Sequence, residues 1–529
     1  MNRDAALARI RSRTEPFDIV IIGGGATGAG IAVDAASRGF STLLLEREDF
    51  GKGTSSRSTK LVHGGVRYLE QGNLSLVMGA LRERGILRRN APHLVHDVPF
   101  VVPNYSWWET PFYGIGLKVY DLLAGQYGFG KSRLLSREET LERLPTLRQD
   151  GLRGGVVYHD GQFDDARLLI HLLATAVDHG ATVLNYAPVM EIRRGSDGFV
   201  CGVLAEDRES GQRLSIDAQV VINATGIFAD ETRQMADAKA SPMMVPSQGI
   251  HLVLDGSFLR GNAAIMVPHT SDGRVLFAIP WHGHTVVGTT DTPIEGPSYE
   301  PLPFEHEIQF VLETASEYLS HPPKREDVLS VFVGIRPLVR QSGASATTTS
   351  ALSRDHTVHI DDSGLLTIAG GKWTTYRQMA EDTVDHAIML GKLGEKPCVT
   401  RELRIHGYLE DASALNHLWV YGSDAEKIRA LVHESPALGK QLDPALPSIA
   451  AEVVWAVREE MARRLEDVLA RRTRALFLDA RAALRMAPEV AALMAEELGR
   501  DQAWVDAEVA RFRELAAGYL VPDAVATAS

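Results

Sequence analysis

Phe17-Asp18-Ile19-Val20-Ile21-Ile22 is a largely β-branched run that breaks off into Gly23-Gly24-Gly25-Ala26-Thr27-Gly28-Ala29-Gly30, and few folds accept such a passage. The pattern then turns helical through Ile31, Ala32, Ala35 and Ala36. Gly23, Gly25 and Gly28 keep the spacing of a dinucleotide-binding turn. The first closes a tight turn, the second lets backbone approach a pyrophosphate, and the third brings helix against strand. The anion sits on the helix N-terminus, where backbone N–H groups and the helix dipole favour negative charge. A second short strand, Ser41-Thr42-Leu43-Leu44-Leu45, ends in Glu46. An acid about 20 residues past the turn suits a ribose hydroxyl. This is a dinucleotide site.

The formal charge of -13 over 529 residues argues against a nucleic-acid partner, which demands a basic face. Two cysteines, Cys201 and Cys398, give neither a disulfide framework nor a cysteine metal cluster. No metal is expected, and the cysteine usage suits a reducing cytoplasm. Residues 1–16 show no apolar signal core. Apart from the nucleotide turn, no stretch approaches the roughly 18 apolar residues of a spanning helix. The expectation is a cytoplasmic protein that lies on a membrane without crossing it.

Val220-Val221-Ile222-Asn223-Ala224-Thr225-Gly226 reads as a buried strand returning beside the first. Leu365-Leu366-Thr367-Ile368-Ala369 is another, running into Gly370-Gly371-Lys372-Trp373-Thr374-Thr375-Tyr376 and a helix. The reading is therefore α/β, with a discontinuous Rossmann-like domain from residues 16–90, 150–240 and 355–396. The β-textured insert, residues 91–149 and 241–354, forms a substrate or cap domain. Beyond residue 397, Val454, Val457, Met461, Leu465 and Val468 recur at helical spacing, so 397–529 reads as a separate helical domain. Its tail is a candidate subunit contact of a homodimer. Arg82, Arg84, Arg88 and Arg89 read as the solvated face of a helix. The aromatic stretch 104–130 suits either a bilayer interface or buried packing. Arg463-Arg464 and Arg471-Arg472-Arg474 read as further basic faces open to a membrane.

Several stretches together resemble the FAD-dependent, respiratory (aerobic-type) glycerol-3-phosphate dehydrogenase family over most of the chain. Beside the glycine turn stand Thr54-Ser55-Ser56-Arg57-Ser58-Thr59-Lys60-Leu61-Val62-His63-Gly64-Gly65-Val66-Arg67-Tyr68-Leu69 and Phe163-Asp164-Asp165-Ala166-Arg167-Leu168. Further on come Asn223-Ala224-Thr225-Gly226, Gly288-Thr289-Thr290-Asp291, Gly334-Ile335-Arg336-Pro337-Leu338, Ser353-Arg354-Asp355 and the lysine–threonine loop after Gly370. The glycine turn belongs to flavoproteins in general, whereas residues 54–69 and that loop are far more specific. The resemblance implies a glutathione-reductase-type FAD domain. It places Gly23, Gly25, Ala26, Thr27, Gly28 and Glu46 on the adenosine side of FAD. Thr54, Ser55, Ser56, Ser58, Lys60, Leu61, His63, Gly64 and Gly65 follow the flavin, with Thr225, Gly226, Gly371, Lys372, Trp373 and Thr374. Three returns of the chain to one ligand also favour an elongated, permanently bound FAD over NAD.

Binding a phosphomonoester needs fixed cationic donors, and arginine's planar fork matches phosphate oxygens. The resemblance places Arg336 and Arg354, which flank a Ser/Thr-rich loop, at the substrate phosphate. Arg336 is expected at a strand end. Lys372 and Thr374 are further candidates, with Arg67 and Tyr68 on the opposite wall. Lys372 and the helix after it also stabilise negative charge on a reduced flavin. Oxidising a secondary alcohol needs a base, and His63 and His251 are the candidates. His282 and His284 read as hairpin polar residues, and Asp164, Asp165 and Arg167 as a structural ion-pair network. The implied reaction is oxidation of sn-glycerol 3-phosphate to dihydroxyacetone phosphate, with electrons passed to a membrane quinone. The alternatives are an oxidase that makes hydrogen peroxide, an enzyme of the amino-acid oxidase type, and a flavin-binding sensor without catalysis.

Overall fold

The computed structural model describes residues 1–65, 74–106, 109–268, 270, 275–340 and 355–522. Strand β1 (Phe17–Ile22) pairs in parallel with β2 (Thr42–Leu45) on one side and β10 (Gln212–Asn223) on the other. Beyond them β7 (Thr182–Leu184) and β18 (Leu366–Gly370) continue the parallel order. The strand expected after Val220 thus returns beside β1, with Ile21 level with Ile222 and Leu44. Both faces of β1 are covered, which is why Ile19 to Ile22 is an unbroken apolar run rather than an alternating one. The helices Ala26–Ser37 and Tyr376–Leu390 pack against each other; a Cβ on Gly30 would stand 2.8 Å from the Tyr376 ring. Antiparallel β8 (Val189–Arg194) and β9 (Val200–Asp207) extend this sheet from β10, and β17 (His356–Ile360) closes its far edge.

The second sheet is mostly antiparallel. β11 (Met244–Asp255) pairs along its length with β16 (Val328–Val339), and also with β14 (His284–Gly288) and β15 (Thr292–Pro293). β13 (Leu276–Trp281) and β12 (Ala264–Val267) lead on to β4 (Val95–Asn104), β6 (Gly154–Phe163) and β3 (Leu61–Val62), with β5 (Arg133–Leu135) paired to β6. Strands β3 and β6 therefore belong to the second sheet, although the sequence reading assigned residues 16–90 and 150–240 to the nucleotide domain. The chain passes between sheets at the loop 54–60 and again after Phe163.

The C-terminal stretch does not bury a core of its own. Tyr421, Ala451, Trp455 and Met461 join the apolar core of β1, while Leu465, Val468, Phe477 and Met486 share one with Phe100 and Phe332 of the second sheet. The helical spacing expected from Val454 to Val468 is also interrupted. The helix Ala450–Glu459 ends, Met461 takes φ 54°, and a π-helical turn, Asp467–Arg472, leads to Arg474 at φ 64°.

The arginines here overturn the expected basic faces. Arg471 and Arg472 are buried, and both donate to Asp49, at 2.5 Å and at 2.9 and 3.0 Å. Burial pushes the Asp49 carboxyl up, but Arg472 and then Arg471 more than reverse this and hold it at about 2. Arg474 is buried on Asp165, and Arg84 on Asp160 at 2.6 Å. Arg84 is thus a core ion pair, whereas Arg82, Arg88 and Arg89 are exposed as expected. Arg463 pairs with Glu209. In the aromatic stretch Tyr113 and Tyr120 are buried, Leu122 is 80% exposed, and Trp107 and Trp108 lie outside the described residues.

Candidate functional site

One cavity of about 350 Å³ runs from the end of β1 to the second sheet. At its first end, chain geometry demands glycine. Gly23 has φ 111° and a Cβ there would stand 2.6 Å from the Ala224 carbonyl oxygen. A Cβ on Gly28 would reach 1.9 Å from the Gly23 carbonyl, so Gly28 serves helix–strand contact and does not line the cavity. Gly25, Ala26 and Thr27 do line it, and Gly25 caps the helix without a side chain. The Ser55 hydroxyl accepts the Ala26 N–H at 2.9 Å. Glu46 lines the same end, and its carboxylate accepts the N–H groups of Gly24 at 2.6 Å and Glu48 at 2.8 Å. Burial raises its pKa against those two bonds.

Thr54, Ser55, Ser58, Leu61 and His63 line the middle. Thr54 donates to the Ile335 carbonyl at 2.6 Å and Trp373 Nε1 to that of Ser55 at 2.8 Å, so the loop 54–60 bridges both sheets. Thr225, Gly226, Gly371, Lys372, Trp373 and Thr374 line it from the other side. Gly370 and Gly371, both at φ 76°, bend β18 into a 3-10 turn, Trp373–Thr375, that leads the helix Tyr376–Leu390 with its N-terminus toward the cavity.

Four other expected cofactor residues stand off the cavity. Ser56 is buried and its carbonyl accepts from Lys60 at 2.8 Å and Arg474 at 2.9 Å. Lys60, at φ 65°, turns its amine away from the cavity to Asp165 at 2.7 Å, among the rings of Trp281, Phe332 and Phe477. Burial drops its pKa to about 7, against the pull of Asp165. Gly64 is a packing residue: a Cβ there would stand 2.3 Å from the Tyr120 hydroxyl. Gly65 is buried at φ 77°. Arg67, Tyr68 and Arg354 lie outside the described residues.

Arg336 reaches the cavity from within β16, not from its end. It donates to the carbonyls of Thr290 at 2.7 Å and Gln248 at 3.1 Å, and to Asp291 at 3.2 Å. His251 and His63 line the same region. His251 is 3% exposed, lies parallel to Phe332 at 4.8 Å, and has Nε2 2.9 Å from the Thr59 hydroxyl. Burial, then the charges of Lys60 and Arg336, hold it well below the ordinary histidine range, so its imidazole is neutral. Its buried Nδ1 has no hydrogen-bond partner among the described residues. Asp164, Asp165 and Arg167 form the ion-pair network expected of them, with His282, Arg474 and Glu460.

Sequence reasoning missed Arg47, Lys52, Arg57, Phe228, Tyr299 and Met379, all of which line the cavity. Arg47 and Lys52 were detectable as cations directly after Glu46; nothing local marks Tyr299. Among the described residues, five cations (Arg47, Lys52, Arg57, Arg336, Lys372) face the cavity against two carboxylates, Glu46 and Glu231. Lys52, Arg57 and Arg336 are held on Glu466, Glu300 and Asp291, so the wall offers positioned cationic donors of the kind that a ligand with several phosphates requires. The Cβ-free turn, the helix N-terminus and this cation set fit FAD.

The model of the FAD dependent oxidoreductase family matches residues 18–377, and that of the C-terminal domain of alpha-glycerophosphate oxidase matches residues 365–505. The mitochondrial glycerol-3-phosphate dehydrogenase of Schizosaccharomyces pombe is 42% identical, over 93% of this chain and 85% of its own. The mouse (Mus musculus) enzyme of the same name is 41% identical, over 94% and 72%. Among solved structures, the glycerol-3-phosphate dehydrogenase from Bacillus halodurans complexed with FAD superposes with a TM-score of 0.79 at 31% identity, over 98% of each chain. The chain therefore belongs to the family of FAD-dependent glycerol-3-phosphate dehydrogenases.

Proposed function

We propose that the protein oxidises sn-glycerol 3-phosphate to dihydroxyacetone phosphate and passes the electrons to a membrane quinone, working at the inner face of the cell membrane. The observation that carries the reading is that Arg336, His251 and Lys372 line one cavity with the glycine turn. The helix N-terminus at Thr27, with the Ser55 hydroxyl that caps Ala26, would hold the pyrophosphate of FAD, Glu46 its ribose, and the 54–63 loop with 371–374 its ring system. FAD, when bound, supplies the acceptor for the hydride that leaves C2 of the substrate. Arg336, whose terminal nitrogens donate to Gln248, Thr290 and Asp291, would exchange part of that set for the substrate phosphate, with Lys372 and Thr374 beside it. Arg354, Arg67 and Tyr68 complete the clamp by family resemblance. His251 or His63 takes the hydroxyl proton as the carbonyl forms; the His251 ring is neutral, and its buried Nδ1 has no hydrogen-bond partner among the described residues.

A quinone dissolved in lipid requires contact with the bilayer. No helix among the described residues is long and apolar enough to cross one. The helices Leu74–Asn90 and Glu109–Ala124 pack together and leave Met78 (52% exposed) and Leu122 (80%) uncovered, with Leu134 (51%) on the neighbouring β5. Exposed Lys118 stands on the same helix as Leu122, the pairing of apolar and basic groups that an interfacial helix uses. The match to a domain named for an oxidase makes oxygen the competing acceptor. The test is anaerobic reduction by glycerol 3-phosphate, followed by mixing with quinone-loaded vesicles or with oxygen. Bleaching of the flavin, then rapid recovery with quinone and little peroxide, is expected. Fast peroxide formation would transfer the assignment to oxygen, and an unbleached flavin would leave only a binding protein.

A further inference from the structure

Residues 294–304 run without regular structure from β15 to the helix Glu305–Tyr318, and Pro297, Pro301 and Pro303 stiffen them. The segment leaves the second sheet and stands on the nucleotide domain. The Tyr299 ring stacks on Phe228 at 4.4 Å and 26°, beside Glu46. The Arg47 guanidinium lies 4.9 Å from the Phe228 ring and 4.7 Å from that of Tyr299, and its Nε donates to the Tyr299 hydroxyl at 3.1 Å. The next residue, Glu300, accepts from the buried Arg57 at 2.7 Å and from the Tyr519 hydroxyl at 3.4 Å. Behind it, the Leu302 carbonyl accepts from Gln248 at 3.2 Å and the Phe304 N–H donates to Glu307 at 3.0 Å. Three parts of the chain, far apart in sequence, thus meet on one short strap, and Arg47, Arg57, Phe228 and Tyr299 all line the cavity.

We propose that this strap is a latch for the cofactor: FAD exchanges only when Tyr299 lifts from Phe228 and Arg47 and when Glu300 releases Arg57. The proposal rests on FAD as the resident cofactor. A ligand lying along the cavity from Glu46 toward Lys372 is walled at the Glu46 end by Tyr299, a residue that the nucleotide domain does not itself supply. Each closing contact is of a weak kind, an aromatic pair, a cation over rings and one partly exposed ion pair, so opening is a local event that leaves both sheets intact.

The test uses the purified holoprotein, diluted and filtered over time, and reads the flavin absorbance that reaches the filtrate. Tyr299→Ala should release flavin about tenfold faster than wild type, as expected from losing an aromatic pair and a cation–π contact together. Tyr299→Phe keeps the stack and should stay near wild type, while Glu300→Gln should release it severalfold faster. Thermal unfolding of the flavin-stripped proteins separates latch from fold: equal melting with faster release supports the latch. If Tyr299→Ala does not fold, Glu300→Gln decides. Wild-type release rates in both Tyr299→Ala and Glu300→Gln would overturn the proposal. A wild-type protein that carries no flavin and takes none up would remove the cofactor reading together with the latch, a distinct result.

Discussion

Between β1 and its helix, the cavity wall is made from side chains that are missing: at Gly23 and Gly28 even one methyl group would strike backbone. Behind the loop 54–60 the protein does the reverse and fills the interior with charge. Asp49, Asp165, Lys60, Arg472 and Arg474 are each 2% exposed or less. The turn is shaped by backbone alone, its own at Gly28 and that of Ala224 at the end of β10 at Gly23. The charged layer is stable only because every member has a partner, some of them more than 400 residues away along the chain, as in Asp49 with Arg472. Losing a methyl-sized space and losing a counter-ion should therefore cost different amounts and be felt in different places.

The sharpest break is Asp49→Ala, which leaves buried Arg471 to Asp467 and Glu466 and buried Arg472 to Glu460. Removing one partner of a buried pair costs about 3–5 kcal/mol. Hydrogen exchange across residues 467–478 should accelerate well before the parallel sheet is affected. Exchange that is unchanged there would show that Asp467 and Glu460 suffice to hold the two guanidiniums. Next comes Arg336→Ala in the cavity. A hydrogen bond to a charged group is worth about 1.5–3 kcal/mol, so KM for glycerol 3-phosphate should rise at least about tenfold while FAD remains bound. An unchanged KM would reduce Arg336 to the partner of Asp291. Third is Gly28→Ala. Its φ is not in the left-handed region, so the cost is overpacking alone, about 1–3 kcal/mol. It should appear as weaker flavin retention, measured as flavin content after gel filtration, and full retention would mean that the turn can shift to accommodate a Cβ.

The same contrast explains what could be read from the residues alone. The turn, Glu46 and the returning strands at 220–226 and 365–369 are written in contiguous spacing and apolar runs, and they stand where expected. Arg471, Arg472 and Arg474 looked like a solvated basic face because charge on a helix usually is; what buries them is Asp49 and Asp165, which no local pattern connects to them. Arg84 fails in the same way, hidden by Asp160 on β6. Strand β6 reads from sequence as part of the nucleotide domain, within 150–240, because an apolar strand beside a helix reads alike in either layer. Arg336 was recognised as facing the cavity but not as sitting within its strand. Tyr299 carries no local signal, since its role depends on Phe228 and Arg47 approaching from another sheet.

Lys60 gives the most direct measure of the charged layer. Its amine is fully enclosed, and burial lowers its pKa from 10.5 to about 7. Asp165 and Asp164 favour its charged form while Arg474 opposes it. In the unfolded chain Lys60 holds its proton up to about pH 10.5, whereas the folded protein releases it near pH 7, so between these values the unfolded state binds more protons and stability rises with pH. Below pH 7 both states are charged and the full cost of burying the ammonium is present; above about 10.5 both are neutral and the cost has been relieved. Lys60→Met has no such proton. The stability of wild type relative to Lys60→Met should therefore be lowest near pH 6.5 and climb steadily toward pH 9.5, measured as denaturation midpoints of the two proteins at matched pH. A difference that stays flat across that interval would mean that Asp165 keeps the lysine charged throughout, and that the layer behind the cavity is a fixed ion pair rather than a titrating one.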